Sequence, residues 1–243
     1  MALKTLSKAE FGQLVEKLMA SQKVVGPKRK ESKFEFGYLS AASELVLDYD
    51  VTLRSPRTFF QPPKEKLFDF SLGAKPEVKP SVAAEQFTLV GVHTYDLKAL
   101  NQMDFIWSEN NDDQHYKARR SACTIIALEP TKVSEWSFWN SMNAATVDKG
   151  FDLLLTDIGD KYAIEIGTKK GEELLSKFSR ASDASDSDIK ARDASRAKLA
   201  TMCGADRKVK CDRPTLIENM RKSYDSPVWE KQAEKCYSCG SCN

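Results

Sequence analysis

Three apolar runs govern what this chain can fold into: residues 87–92 (Phe-Thr-Leu-Val-Gly-Val), 123–128 (Cys-Thr-Ile-Ile-Ala-Leu) and 151–157 (Phe-Asp-Leu-Leu-Leu-Thr-Asp). Each is short and dominated by aliphatic or β-branched side chains, the pattern of a buried strand. Between the first two, Asp96-Leu97-Lys98-Ala99-Leu100 opens a helix. Strand, helix and strand predict an α/β layer. After the third run, Ile158-Gly159-Asp160-Lys161 reads as a turn, and residues 162–167 pair back as a hairpin.

Upstream, Ser7 is a candidate N-cap, and Glu10 completes a capping box. Phe11, Leu14, Val15, Leu18 and Met19 follow at helical spacing, predicting a helix that ends near Ser21. Val24 and Val25 begin an extended segment. Gly26-Pro27 and the basic Lys28-Arg29-Lys30 read as a solvated loop rather than a binding patch. Residues 34–36 and 45–49 read as short strands or strand-like turns. Pro56, Pro62 and Pro63 hold the next stretch extended, after which Leu67, Phe68 and Phe70 are expected to pack down.

From Lys170 to about Met202 the composition turns polar and rich in serine and alanine. Leu174, Leu175, Phe178, Ile189, Leu199 and Met202 are too sparse there for a core. This stretch predicts a helix, a solvated link around residues 182–188 and a second helix. Residues 214–220 and 227–233 form short helices before the chain's last feature.

That feature is Cys236, Cys239 and Cys242, spaced C-x2-C-x2-C. It is three quarters of the bacterial ferredoxin run C-x2-C-x2-C-x3-C. A cubane iron–sulfur cluster needs several thiolates converging on a small volume, and two-residue gaps in a tight turn deliver them. Gly240 and Ser241 allow close backbone approach. The expected cofactor is a [4Fe-4S] cluster held by Cys236, Cys239 and Cys242, with zinc as the alternative metal. The run stops at Asn243, so the chain is expected to be C-terminally truncated, with a second cluster beyond its end. The expected organisation is a mixed α+β (α/β) N-terminal docking domain over residues 1–170, a helical linker over 171–225, and the start of a ferredoxin-type 4Fe-4S domain over 226–243.

Other chemistries find little support. Lysine plus arginine number 37 against 35 acidic residues, a net charge of +2, and no long basic stripe appears. That argues against nucleic acid as a partner. No apolar stretch approaches the roughly 18 residues of a membrane span. The first residues lack the apolar core of a secretion signal, so a cytoplasmic protein is expected. Six cysteines in 243 residues fall short of a disulfide scaffold, and their clustering favours metal. The two histidines, His93 and His115, form no pair or triad that would support hydrolysis. His93, just after a strand, is a candidate ligand contact. Gly91 is followed by no G-x-G-x-x-G, and Gly167 and Gly171 beside lysines read as a hairpin end rather than a phosphate cradle. Cys203 and Cys211 read as surface thiols, and Cys123 as a small buried hydrophobe. Trp107, Trp136, Trp139 and Trp229 are candidate anchors, with Trp229 placed to shield a cluster.

Several segments in order resemble a known family. They are residues 91–100 (Gly-Val-His-Thr-Tyr-Asp-Leu-Lys-Ala-Leu), Tyr116 with Arg119-Arg120, Ser141-Met142, residues 150–157, and Tyr224-Asp225-Ser226-Pro227-Val228-Trp229 leading to the cysteines. The chain resembles the iron–sulfur subunits of anaerobic oxidoreductase complexes, among them sulfhydrogenase beta subunits and the A subunit of anaerobic sulfite reductase. The resemblance implies an electron-transfer subunit, not the catalytic one, relaying between a flavin-bearing subunit and a catalytic oxidoreductase subunit. A non-redox scaffold from a truncated or degenerate gene, or a zinc-binding adaptor, is the alternative. The resemblance also implies thiolates where this chain has Tyr95, Ser137-Phe138-Trp139 and residues 128–130. Phenol, hydroxyl and indole cannot replace thiolates around iron. The implied consequence is that an N-terminal cluster is lost and that Tyr95 and Trp139 fill its place.

Overall fold

The three apolar runs become neighbouring parallel strands at the centre of a mixed sheet. The computed structural model describes residues 3–73, 75–82, 84–109, 112–204 and 208–238. In chain order its elements are β1 (Leu3–Ser7), α1 (Lys8–Ser21), β2 (Lys23–Lys30), β3 (Lys33–Tyr38), β4 (Phe68–Ser71), β5 (Glu77–Pro80), β6 (Phe87–His93), α2 (Thr94–Glu109), α3 (Gln114–Ala122), β7 (Cys123–Leu128), β8 (Leu153–Asp157), β9 (Lys161–Ile166), α4 (Lys169–Phe178), β10 (Ser182–Asp183), α5 (Asp186–Leu199), α6 (Arg213–Lys222) and α7 (Val228–Ala233). The sheet order is β10-β1-β9-β8-β7-β6-β2-β3. β2, β6, β7 and β8 run parallel, with antiparallel strands outside them on both flanks.

Alternation along the central strands divides the core in two. Leu89, Ile125 and Leu154 face α2 and α3, packing on Leu97, Leu100 and Tyr116. Val90, Ile126, Leu153 and Leu155 face α1 and α4, packing on Leu14, Leu18, Leu174 and Leu175. Both faces are covered, so these strands read as continuous apolar runs. Each fully buried aliphatic side chain contributes about 1.5–3 kcal/mol of transfer free energy. α1 begins as its sequence predicts: Glu10 N donates to Ser7 Oγ at 3.2 Å, and Ser7 N donates to Glu10 Oε2 at 3.1 Å.

Gly91 breaks the alternation. It lies at φ +79°, and a Cβ there would meet Leu47 Cδ2 at 2.7 Å. The register shifts between Val90 and Val92, a bulge that puts the two valines in different halves of the core. Beyond it, His93 pairs with Leu128 on the α1 side of the sheet.

Four expectations need correction. Residues 26–30 are strand, not loop: β2 pairs with β3 from Val25↔Tyr38 to Lys30↔Lys33. Pro27 is tolerated because pairing with β6 ends at Val25↔Leu89, so no ladder bond is demanded on that side. Ser182-Asp183 is not a free link but an edge strand, with Lys4↔Asp183 and Thr5↔Ser182 in register. Polar composition hid it, because an edge strand needs backbone bonds on one side only. Leu174 and Leu175, read as too sparse, are core residues. Leu67, Phe68 and Phe70 do not pack down; Phe70 is 64% exposed on the separate β4–β5 hairpin. Residues 45–49 are extended without joining a strand ladder, and Val46 N donates to the Pro27 carbonyl at 2.8 Å. Among the described residues, no helix is long and apolar enough to cross a membrane.

Candidate functional site

The cysteine segment follows two short helices. Asp212 caps α6 by accepting from Thr215 N at 2.9 Å. The Trp229 indole N–H donates to the Ser223 carbonyl, fastening the corner between α6 and α7. Past α7, Cys236 N donates to the Ala233 carbonyl at 2.9 Å, and the Cys236 side chain is exposed and free of any disulfide. Ser238, at φ +53°, turns its N–H back onto Cys236 Sγ at 3.3 Å. An exposed thiol receiving a backbone N–H suits an iron–sulfur ligand, since hydrogen bonds to sulfur help set cluster potential. Cys239 and Cys242 lie outside the described residues. Among the described residues, no group of three or more His, Cys, Asp or Glu side chains is placed to hold a metal ion.

A second constellation sits at the C-terminal edge of β6 and β7, where open α/β sheets bind ligands. Tyr95 stacks on Trp139 with centroids 5.1 Å apart and planes 11° from parallel. His93 stacks on Tyr49 at 3.9 Å and meets Tyr95 edge-on at 5.2 Å. Tyr49 Oη donates to the Gly91 carbonyl at 2.7 Å, so the bulge anchors this nest. Burial pushes the His93 imidazole down to about 3, leaving it neutral. Burial also raises the Tyr95 phenol and pushes the neighbouring Asp96 carboxyl up to about 7, with a Ser55 hydroxyl 3.4 Å away pulling against it.

Cys203 is part of this nest, which corrects its reading as a surface thiol. It is buried against Trp139 and Ala144, and its N–H donates to Asn140 Oδ1 at 3.1 Å. Cys211 is half-buried. Tyr95 and Trp139 stack on one another, and Cys203 packs in the same cluster as Trp139. Cys123 is buried as expected, its thiol pushed up to about 12 by burial. Gly167 and Gly171 serve packing, since a Cβ at either would strike the Phe151 or Asp152 carbonyl.

Sequence reasoning missed one buried ionic network. Glu129, directly after β7, accepts from Arg196 Nε at 2.6 Å and from Thr156 Oγ1 at 2.8 Å. Arg196 also pairs with Glu165 at 2.8 Å, as does Arg192 at 3.0 Å. Burial raises the Glu129 carboxyl while Arg196 pulls it back. The available signal was Arg192 and Arg196 at i, i+4 on one helix face.

An α/β body joined to a helical segment that presents a cysteine at a turn is the class of protein this geometry defines. No protein-family model matches the chain. It is similar to Sulfhydrogenase 2 subunit beta of Pyrococcus furiosus, with 28% identity over 236 residues, 96% of this chain and 67% of that protein. The resemblance drawn from the sequence motifs is borne out: the chain is similar to a sulfhydrogenase beta subunit along nearly its whole length.

Proposed function

We propose that this chain is an electron-transfer subunit of a hydrogenase-type oxidoreductase complex. Similarity to a sulfhydrogenase beta subunit along 96% of the chain is the observation that carries this reading. Cys236, Cys239 and Cys242 would hold an iron–sulfur cluster of the [4Fe-4S] type, with residues 226–243 as the start of a ferredoxin-type unit. When bound, such a cluster supplies one-electron chemistry, and the protein supplies position and environment. The chain's own contribution is the turn at Ser238, which aims an N–H at Cys236 Sγ. Its partners would be a flavin-bearing subunit and a catalytic oxidoreductase subunit, in an anaerobic cytoplasm, with residues 1–170 as the docking body; of residues 171–225, the expected link, α4, β10 and α5 pack with that body.

The test is purification without oxygen, followed by iron and acid-labile sulfide assays and electron paramagnetic resonance of the dithionite-reduced protein. Iron and sulfide in equal amounts, both lost in Cys236→Ser, are expected. Zinc in place of iron, or iron that survives Cys236→Ser unchanged, overturns the assignment.

A further inference from the structure

Two polar atoms in the aromatic nest are reached by no protein group: Nε2 of His93 and Nε1 of Trp139. Both residues are buried, at 0% and 6% exposure. The neighbours settle which proton the imidazole carries. Tyr95 has one hydroxyl hydrogen, and Tyr95 Oη donates it to the Asp50 backbone carbonyl at 2.8 Å. A carbonyl can only accept. The 2.7 Å contact between Tyr95 Oη and His93 Nδ1 must therefore take its hydrogen from the nitrogen. His93 is then the Nδ1–H tautomer, and Nε2 carries a bare lone pair.

The nest thus holds one unmet acceptor and one unmet donor, on two rings that both contact Tyr95. Buried polar atoms are nearly always satisfied, by water where protein does not reach. Water both donates and accepts within the smallest volume. We propose that this edge of the sheet is a binding site for one small protic molecule, water in the resting protein, which donates to His93 Nε2 and accepts from Trp139 Nε1–H. Its route of exchange is a surface pocket of about 540 Å³ whose wall includes Asp50, Val133 and Met202. All three touch the nest: the Asp50 carbonyl takes the Tyr95 hydroxyl, and Val133 and Met202 pack against the cluster of Trp139, Ala144 and Cys203. The Tyr95 hydroxyl, committed to Asp50, fixes that tautomer and ties Asp50 to the end of β6.

The two histidines and four tryptophans of the chain make the site accessible to nitrogen-15 magnetic resonance on the whole protein. His93 is expected to show a protonated Nδ1 and an unprotonated, hydrogen-bonded Nε2. Cross-relaxation from water is expected at the ring protons of His93 and at the Trp139 indole N–H. Trp139→Phe keeps an aromatic ring and removes the donor; it should weaken the water signal at His93 at least several-fold while leaving the tautomer unchanged. His93→Asn keeps a donor toward Tyr95 and removes Nε2; it should weaken the signal at the indole N–H. A protonated Nε2, no water signal at either ring, or a His93 signal indifferent to Trp139→Phe overturns the proposal.

Discussion

The sheet and the C-terminal segment are built on opposite terms. In the sheet and the helix α1 packed on it, Leu14, Leu18, Ile125, Ile126 and Leu153 are fully buried, and even Glu129 is inside with its partners around it. In α6, α7 and the turn beyond, Ile217, Met220 and Tyr224 face outward, and Tyr237 beside Cys236 is 97% exposed. Burial decides the first region and contributes little to the second. The two should therefore fail independently: losing the sheet loses the protein, whereas losing the cysteine loses only what the segment carries. Cys236→Ser is accordingly expected to leave the urea midpoint of the folded body unchanged.

The largest effect that would sharpen this contrast is an acid one. His93 has its imidazole pushed from 6.5 down to about 3 by burial. A depressed folded value means the unfolded chain binds the extra proton, so stability is present above pH 6.5 and drains away as the pH falls toward 3. The loss over that window is on the order of 4 kcal/mol. His93→Phe, which retains stacking on Tyr49, should flatten the slope when urea midpoints at pH 7 and pH 4.5 are compared. An unchanged slope would place the acid sensitivity elsewhere. Next comes Ile126→Ala, which opens a cavity between α1 and the sheet and should cost about 3 kcal/mol in urea denaturation. Metal content per folded chain should be unaffected, and a parallel loss would break the contrast.

Arg196→Ala should cost about 2 kcal/mol at neutral pH, because it leaves Glu129 buried without its cation. Arg196 is partly exposed, which keeps the cost below that of a fully buried pair. The Glu129 carboxyl is already raised above 4.5 by burial and would rise further without Arg196. A raised carboxyl favours folding while protonated, so the penalty should shrink as the pH falls toward 4.5, as paired denaturation curves at pH 8 and pH 5 would show. The smallest effect is Phe70→Ser on the exposed hairpin, expected within about 0.5 kcal/mol of the parent in the same assay. A larger loss would mean the hairpin belongs with the sheet after all.

What was legible in the sequence follows the same division. β6, β7 and β8 stand out because strands buried on both faces need unbroken apolar runs, and α1 stands out because its cap and stripe are local. β10 and the second half of β2 were unreadable, since their pairing depends on partners far away and not on their own side chains. Cys203 reads as a surface thiol for a similar reason: Asn140, 63 residues earlier, draws it inside. Resemblance points to Tyr95 and Trp139, but their stacking belongs to the fold. Cys239 and Cys242 rest on spacing alone.

The position of β1 has a consequence for how the chain is made. Its inner neighbour is β9 and its outer neighbour β10, and Lys4 meets Asp183, 179 residues downstream. At roughly 5–20 residues per second, a ribosome needs about 9–36 seconds to synthesise that interval. For most of that time, until β9 emerges, the nascent strand has no mate, and the greasy stripe of the first helix gains its packing partners on β6, β7 and β8 one strand at a time. A newborn chain of this kind should lean on holding chaperones early, and release from them should await the emergence of its last sheet strands.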